Sequence, residues 1–150
     1  MLPPAKALVP DTSVVVKWFR QGEVLADAAL ALRRDYLSGL VGVVVPTLLA
    51  YELANVLCCK GELSTEQVQE AVESLFDMGL EWSPPVAATM RRAVQMARQY
   101  EATVYDTVFA ALAEARAGIF VTANEKLAQR LADLPFVLFL GRYEPALGRR

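Results

Sequence analysis

The sequence predicts an α/β fold, a mostly parallel sheet carrying helices on both faces. Three observations carry that expectation. Short apolar runs rich in β-branched residues recur along the chain, longer stretches with three- and four-residue apolar periodicity separate them, and turn residues follow most of the runs. The alternation fits within 150 residues, which is one domain, 1–150, with a core of its own.

The first run, Ala7-Leu8-Val9, ends at Pro10-Asp11 and reads as a buried strand; the proline is tolerable only at the strand's final position, because it has no N–H for the ladder. Val24, Leu25, Ala28, Ala29, Leu32, Tyr36 and Leu37 then recur at helical spacing until Gly39. Val41-Gly42-Val43-Val44-Val45 is the second strand, completing a strand, helix, strand crossover. Pro46 suits a first helical turn, with Leu49, Leu53, Val56 and Leu57 forming one face until Gly61, and Glu52 at the edge of that stripe.

Ser64 and Gln67 form a capping-box pattern opening a further helix, with Val68, Ala71, Val72, Leu75 and Phe76 facing inward until Gly79. A brief strand is expected over Leu80 to Ser83. After Pro84-Pro85, helical periodicity runs over Val86 to Tyr100 and Val104 to Ala117, with a break near Thr103. Ile119-Phe120-Val121 is the next strand, Leu127 and Leu131 mark a short helix, and Phe136 to Leu140 is the fifth strand. The product is a three-layer α/β/α arrangement around a five-stranded, mostly parallel sheet.

Composition narrows the chemistry. Hydrophobic residues make up 55% and charged residues 21% of the chain, more apolar than an ordinary globular domain, so a partner is expected to cover some of its surface, and a homodimer would do so. The net charge of -2 excludes a whole-molecule positive field, and any nucleic-acid contact must be local; the pairs Arg33-Arg34 and Arg91-Arg92 read as solvated faces. Cys58 and Cys59 are adjacent, which suits neither a disulfide framework nor a zinc site, and read as packing residues in a reducing compartment. No apolar run is long enough to span a bilayer, so a cytoplasmic protein with no membrane partner is expected.

The chain contains no histidine, and this removes the commonest general base and the commonest transition-metal ligand together. A metal held here must be held by oxygen, which selects hard cations such as Mg²⁺, Mn²⁺ or Ca²⁺. In open α/β sheets ligands bind beyond the carboxyl ends of the strands. Asp11-Thr12-Ser13 and Thr122-Ala123-Asn124 both follow strands, and Asp106 lies at or near the start of the helix preceding the second of these.

Each residue also has an ordinary reading. Asp11 and Asp106 are suited to capping helices, Glu52 to a helix flank, and Ser13 and Thr122 to turns and strand ends. Capping does not explain a glutamate on a stripe shared with Leu48 and Val56, where it is expected to be partly buried. Three carboxylates about 5 Å apart would repel by roughly 3 kcal/mol per pair at an effective dielectric near 20. A divalent cation resolves that conflict and activates water.

Four segments carry a family resemblance. Asp11-Thr12-Ser13-Val14-Val15-Val16-Lys17-Trp18-Phe19 resembles the opening motif of PIN-domain nucleases, specifically the VapC-type toxins of prokaryotic toxin-antitoxin pairs. The stretches Tyr51 to Leu57, Tyr105 to Glu114 and Val121 to Leu127 are similar to the second, third and fourth motifs, in family order across nearly the whole chain. The resemblance implies a five-stranded parallel sheet, an endoribonuclease dependent on Mg²⁺ or Mn²⁺, an RNA substrate and a cognate antitoxin protein that neutralises it.

By the same resemblance Asp11, Glu52 and Asp106 are the acidic metal-binding and catalytic positions, with Ser13 and Thr122 as supporting hydroxyls. Activated water attacks phosphorus in line, Asp11 and Asp106 are the chief ligands, and Glu52 binds metal or orients the water. Asn124 stands where the family usually carries an aspartate; its carbonyl oxygen is expected to hold a water or a weakly bound metal, and its missing charge favours one cation over two. Lys17 is a candidate phosphate contact or a solvated lysine. Two other readings compete. One is a PIN-like module without catalysis, acting through protein or RNA binding, which Asn124 favours; the other is a phosphotransfer domain, disfavoured because Asp11-Thr12-Ser13 has no second aspartate.

Overall fold

The computed structural model describes residues 6–146. Its five strands are β1 (Ala7–Pro10), β2 (Gly42–Pro46), β3 (Glu81–Ser83), β4 (Ile119–Thr122) and β5 (Val137–Phe139), all parallel in the order β3-β2-β1-β4-β5. Among the described residues the helices are α1 (Thr12–Val15), α2 (Ala26–Leu37), α3 (Leu48–Cys59), α4 (Thr65–Asp77), α5 (Ala87–Tyr100), α6 (Val104–Ala115) and α7 (Glu125–Arg130).

The chain starts at the middle strand, winds outward through β2 and β3, then returns to the opposite side for β4 and β5. Right-handed crossovers consequently put α1 to α4 on one face and α5 to α7 on the other. The direction of winding reverses between β1 and β4, and there the loops leave a crevice beyond the strands' carboxyl ends. Pro10 is the last residue of β1, opposite Val121, and the ladder continues without it because the Asp11 N–H donates to the Val121 carbonyl at 3.0 Å.

The core lies on both faces of the sheet. Val9, Val43, Val44, Val45, Phe120 and Val121 are buried strand residues, as expected of a parallel sheet covered on both sides. Leu49, Leu53 and Leu57 bury one face of α3, while Phe109, Ala110 and Ala113 bury α6 against β1, β2 and β4. The small residues of α6 let it lie close to the strands. Polar groups within this packing are paired: the Trp18 indole N–H donates to the Ala29 carbonyl at 2.9 Å, and the Thr107 hydroxyl to the Ala93 carbonyl at 2.8 Å.

Several expectations are corrected. Pro46 ends β2 rather than opening a helix, and α3 begins at Leu48 and stops at Cys59. Cys58 and Cys59 are exposed, not packed, because the buried stripe of α3 is only as wide as the Leu49, Leu53, Leu57 row. Val24 precedes α2 and is exposed, as is Leu37 at its end. Phe76 faces outward and stacks on Trp82 with ring centroids 5.0 Å apart, so the two rings shield each other. Arg92 of the second basic pair is not merely solvated, since its Nε donates to Glu114 at 2.7 Å. The Ser64 and Gln67 capping box forms as read. Among the described residues no helix is long and apolar enough to cross a membrane.

Candidate active site at the sheet edge

Asp11 is the first residue after β1, and only 6% of it is exposed. It occupies the capping position of α1 through its backbone, the carbonyl accepting from the Val14 and Val15 N–H groups at 3.1 Å, while its carboxylate makes no capping bond. Its pKa is raised to about 6, by burial above all and in lesser part by the Asp106 charge, against the Ser13 and Thr122 hydroxyls, which pull it down.

Those two hydroxyls tie the ends of β1 and β4 together. Ser13 donates to Asp11 and accepts from the Ala123 N–H at 2.9 Å, with the Thr122 hydroxyl 3.4 Å away. Thr122 is fully buried, and its oxygen accepts from the Asn124 N–H at 3.1 Å. Both supporting residues therefore stand where the strand-end reading puts them. Each fixes backbone as well as carboxylate.

Glu52 lies one turn into α3, half-buried, with its Oε1 accepting from the Thr12 hydroxyl at 2.6 Å. Burial raises its pKa, Thr12 lowers it, and Asp106 raises it again. Asp106 sits in the first turn of α6, where the capping role belongs to Thr103, whose hydroxyl accepts from the Asp106 N–H at 3.1 Å. Asp106 is thus no cap, and its carboxylate is the one charge that acts on both of the other two.

Asp11, Glu52, Asp106, Ser13, Lys17 and Asn124 all line one cleft of about 480 Å³ at the β1/β4 crevice. Asn124 corrects an expectation in part: its Oδ1 caps α7 by accepting from the Leu127 N–H at 3.1 Å, so the carbonyl is already engaged. Lys17, in the single turn of tighter helix after α1, has no ion pair among the described residues. The sequence reading missed Thr12, whose partner is 40 residues away, and Arg20, which lines the cleft while paired with Glu62 at 2.7 Å and Glu23 at 3.4 Å. A hydroxyl beside a strand-end aspartate was the available signal for Thr12. Nothing local marks Arg20.

The donor set is oxygen only, and its charges oppose one another, a combination that fits a hard divalent cation. Among the described residues no three acidic side chains stand close enough to enclose an ion by themselves. A Mg²⁺ ion would therefore have to be held by one or two of these carboxylates, with waters completing its shell.

The PIN domain family model matches residues 8–133 of the chain. No curated protein matches the sequence. Among solved structures, a toxin-antitoxin complex from Klebsiella pneumoniae is similar at 19% identity with a TM-score of 0.66, over 92% of this chain and 98% of that one. The crystal structure of PAE2754 from Pyrobaculum aerophilum is similar at 17% identity and TM-score 0.65, over 92% and 85%. VapC20 of Mycobacterium tuberculosis, described as a sarcin-ricin loop cleaving toxin, is similar at 12% identity and TM-score 0.61, over 78% and 87%. Identities this low establish likeness of fold. The family match, in contrast, spans the sheet from β1 through α7 and takes in every acid of the cleft, and on that ground the chain belongs to the PIN domain family.

Proposed function

We propose that the chain is an endoribonuclease dependent on Mg²⁺ or Mn²⁺, and the toxin of a toxin-antitoxin pair held in check by its antitoxin. The observation that carries the reading is Asp106, an uncapped first-turn carboxylate whose charge acts on both the buried Asp11 and the half-buried Glu52 within one cleft. Three acids gathered without a basic partner of their own destabilise the metal-free cleft, which is the cost expected of a cation site. Membership of the PIN family supports nuclease chemistry, and the neighbours named as a toxin-antitoxin complex and as a sarcin-ricin loop cleaving toxin support the toxin role and the RNA substrate.

In this reading Asp11 and Asp106 hold the cation, and Glu52 binds it or orients the attacking water. When bound, the cation withdraws charge from the phosphoryl oxygens and lowers the pKa of water at the site. Ser13 and Thr122 hold Asp11 in place through β1 and β4, and Thr12 holds Glu52. Lys17, unpaired on the cleft wall, contacts a substrate phosphate. Asn124 brings no charge and has its oxygen on a helix cap, so one cation per cleft is expected.

Cleavage of a mixed RNA pool tests the reading. Products form with Mg²⁺ or Mn²⁺ and disappear with EDTA, and Asp11→Asn and Asp106→Asn each abolish them. Cleavage indifferent to chelation or to both substitutions would refute it. Metal binding without cleavage of any RNA would favour instead a non-catalytic PIN module, the reading for which Asn124 speaks.

A further inference from the structure

Beside the acidic cleft, and of opposite character, lies a second depression of about 290 Å³. Its floor is apolar, formed by Leu48 of α3, Met90 of α5, and Val108 and Leu112 of α6. Tyr51 and Tyr105 line it while remaining 76% and 64% exposed, more than rings of that size ordinarily are in a folded domain. We infer that this groove is a nucleobase-binding subsite, in which an unpaired base of the RNA substrate stacks on Tyr51 and Tyr105 next to the phosphate being cut. The inference rests on the nuclease reading and deepens it by specifying single-stranded RNA with a base turned out of its stack.

Placement is the first argument. The groove opens beyond the carboxyl ends of β2 and β3, at Pro46-Thr47 and Ser83, whereas the cleft opens beyond β1 and β4 of the same sheet. The strand pair under the groove and the strand pair under the cleft are two strand spacings, about 10 Å, apart along that edge. The two depressions also share walls, since Tyr51 immediately precedes Glu52 on α3 and Tyr105 immediately precedes Asp106 on α6. A strand with its phosphate at the acids has its neighbouring base at the tyrosines.

Chemistry and size are the second. Bases stack on aromatic faces whatever their sequence, while phosphates seek cations, so an apolar aromatic station beside a metal-type station matches a nucleotide's two halves. With a volume of about 290 Å³ the groove has room for a single base. The hydroxyls of Thr47, Ser83 and Thr89 line it without a hydrogen-bond partner among the described residues, and they offer donors and acceptors to a base edge.

The test compares Tyr51→Ala and Tyr105→Ala with the two Tyr→Phe variants, using steady-state cleavage of a single-stranded RNA carrying 2-aminopurine in place of one base. Each alanine variant should raise KM about tenfold or more, the ordinary worth of one base on one ring, and should lose the fluorescence quenching of the probe. The phenylalanine variants should behave as wild type, which separates stacking from folding. Unchanged KM and quenching in both alanine variants would overturn the subsite while leaving the nuclease reading intact, and so would alanine variants that only split a dimer of this chain. A wild type that cuts no RNA overturns both.

Discussion

The two edges of this sheet, built from the same five strands, are organised by different physics. At the amino-terminal edge the constraint is steric. A Cβ on Gly118, at the entry to β4, would sit 2.4 Å from the Ala7 carbonyl oxygen, so that turn is held by the absence of a side chain. At the carboxyl-terminal edge the constraint is electrostatic: Asp11 is buried with its pKa pushed up to about 6, Glu52 is shifted upward as well, and Asp106 acts on both. One edge is built for stability, and the other, on the proposed reading, gives up stability for a charge arrangement that a cation would relieve.

The sharpest way to break this contrast is to neutralise the acid common to both pairs. Asp106→Asn should remove several kcal/mol of transition-state stabilisation, about a thousandfold in kcat, with the melting temperature of the metal-free protein unchanged or higher. Activity assays on RNA and a thermal melt of the same sample check both halves. Gly118→Val should do the reverse, costing about 3 kcal/mol, a melting shift of roughly 10 °C, while the folded fraction keeps its specific activity.

Asp11 offers a test with a sign. Its folded pKa of about 6 lies above the ordinary 3.8, so the folded protein binds that proton more tightly than the unfolded chain. Below about pH 4 both states are protonated and Asp11 costs nothing; stability is lost as pH rises, and the full cost, up to about 3 kcal/mol, is present above pH 6. In chelator, Asp11→Asn should therefore be the more stable protein at pH 7.5, with the difference closing by pH 4. A mutant less stable than wild type at pH 7.5 would show the carboxylate to be a structural anchor. Smallest is Thr12→Val, which removes the 2.6 Å bond to Glu52 and should lower kcat by roughly tenfold, about 1.5 kcal/mol, with Thr12→Ser restoring it.

What was legible in the sequence follows the same division. Four of the five strands could be read because parallel strands are short and apolar; β3, Glu81-Trp82-Ser83, carries no such run and was expected only as a brief strand over Leu80 to Ser83. The helices could be read because a buried face imposes its period. The partial burial of Glu52 was readable for that reason, its neighbours on the stripe being apolar. The width of a stripe is not encoded in its period, and so Cys58, Cys59 and Phe76, at the margins of α3 and α4, were given to the core while the fold leaves them outside. Phe76 finds its shelter in Trp82, on a different element.

The strand-end residues Asp11 and Ser13 of the cleft, and Thr122 buried beside them, were legible because a parallel sheet gathers its strand ends at one edge. The cap at Thr103, three residues before Asp106, is the signal that frees Asp106 from a structural role. Contacts across long separations, Thr12 to Glu52 and Arg20 to Glu62, leave no local trace and needed the fold.

The central claim is that these carboxylates are gathered to hold a cation, and calorimetric titration of the metal-free protein with Mn²⁺ tests it most directly. The account predicts one saturable site per chain, lost in Asp106→Asn and kept in Asn124→Ala. Absence of saturable binding in the wild type, or binding that survives the double substitution Asp11→Asn and Asp106→Asn, would contradict it.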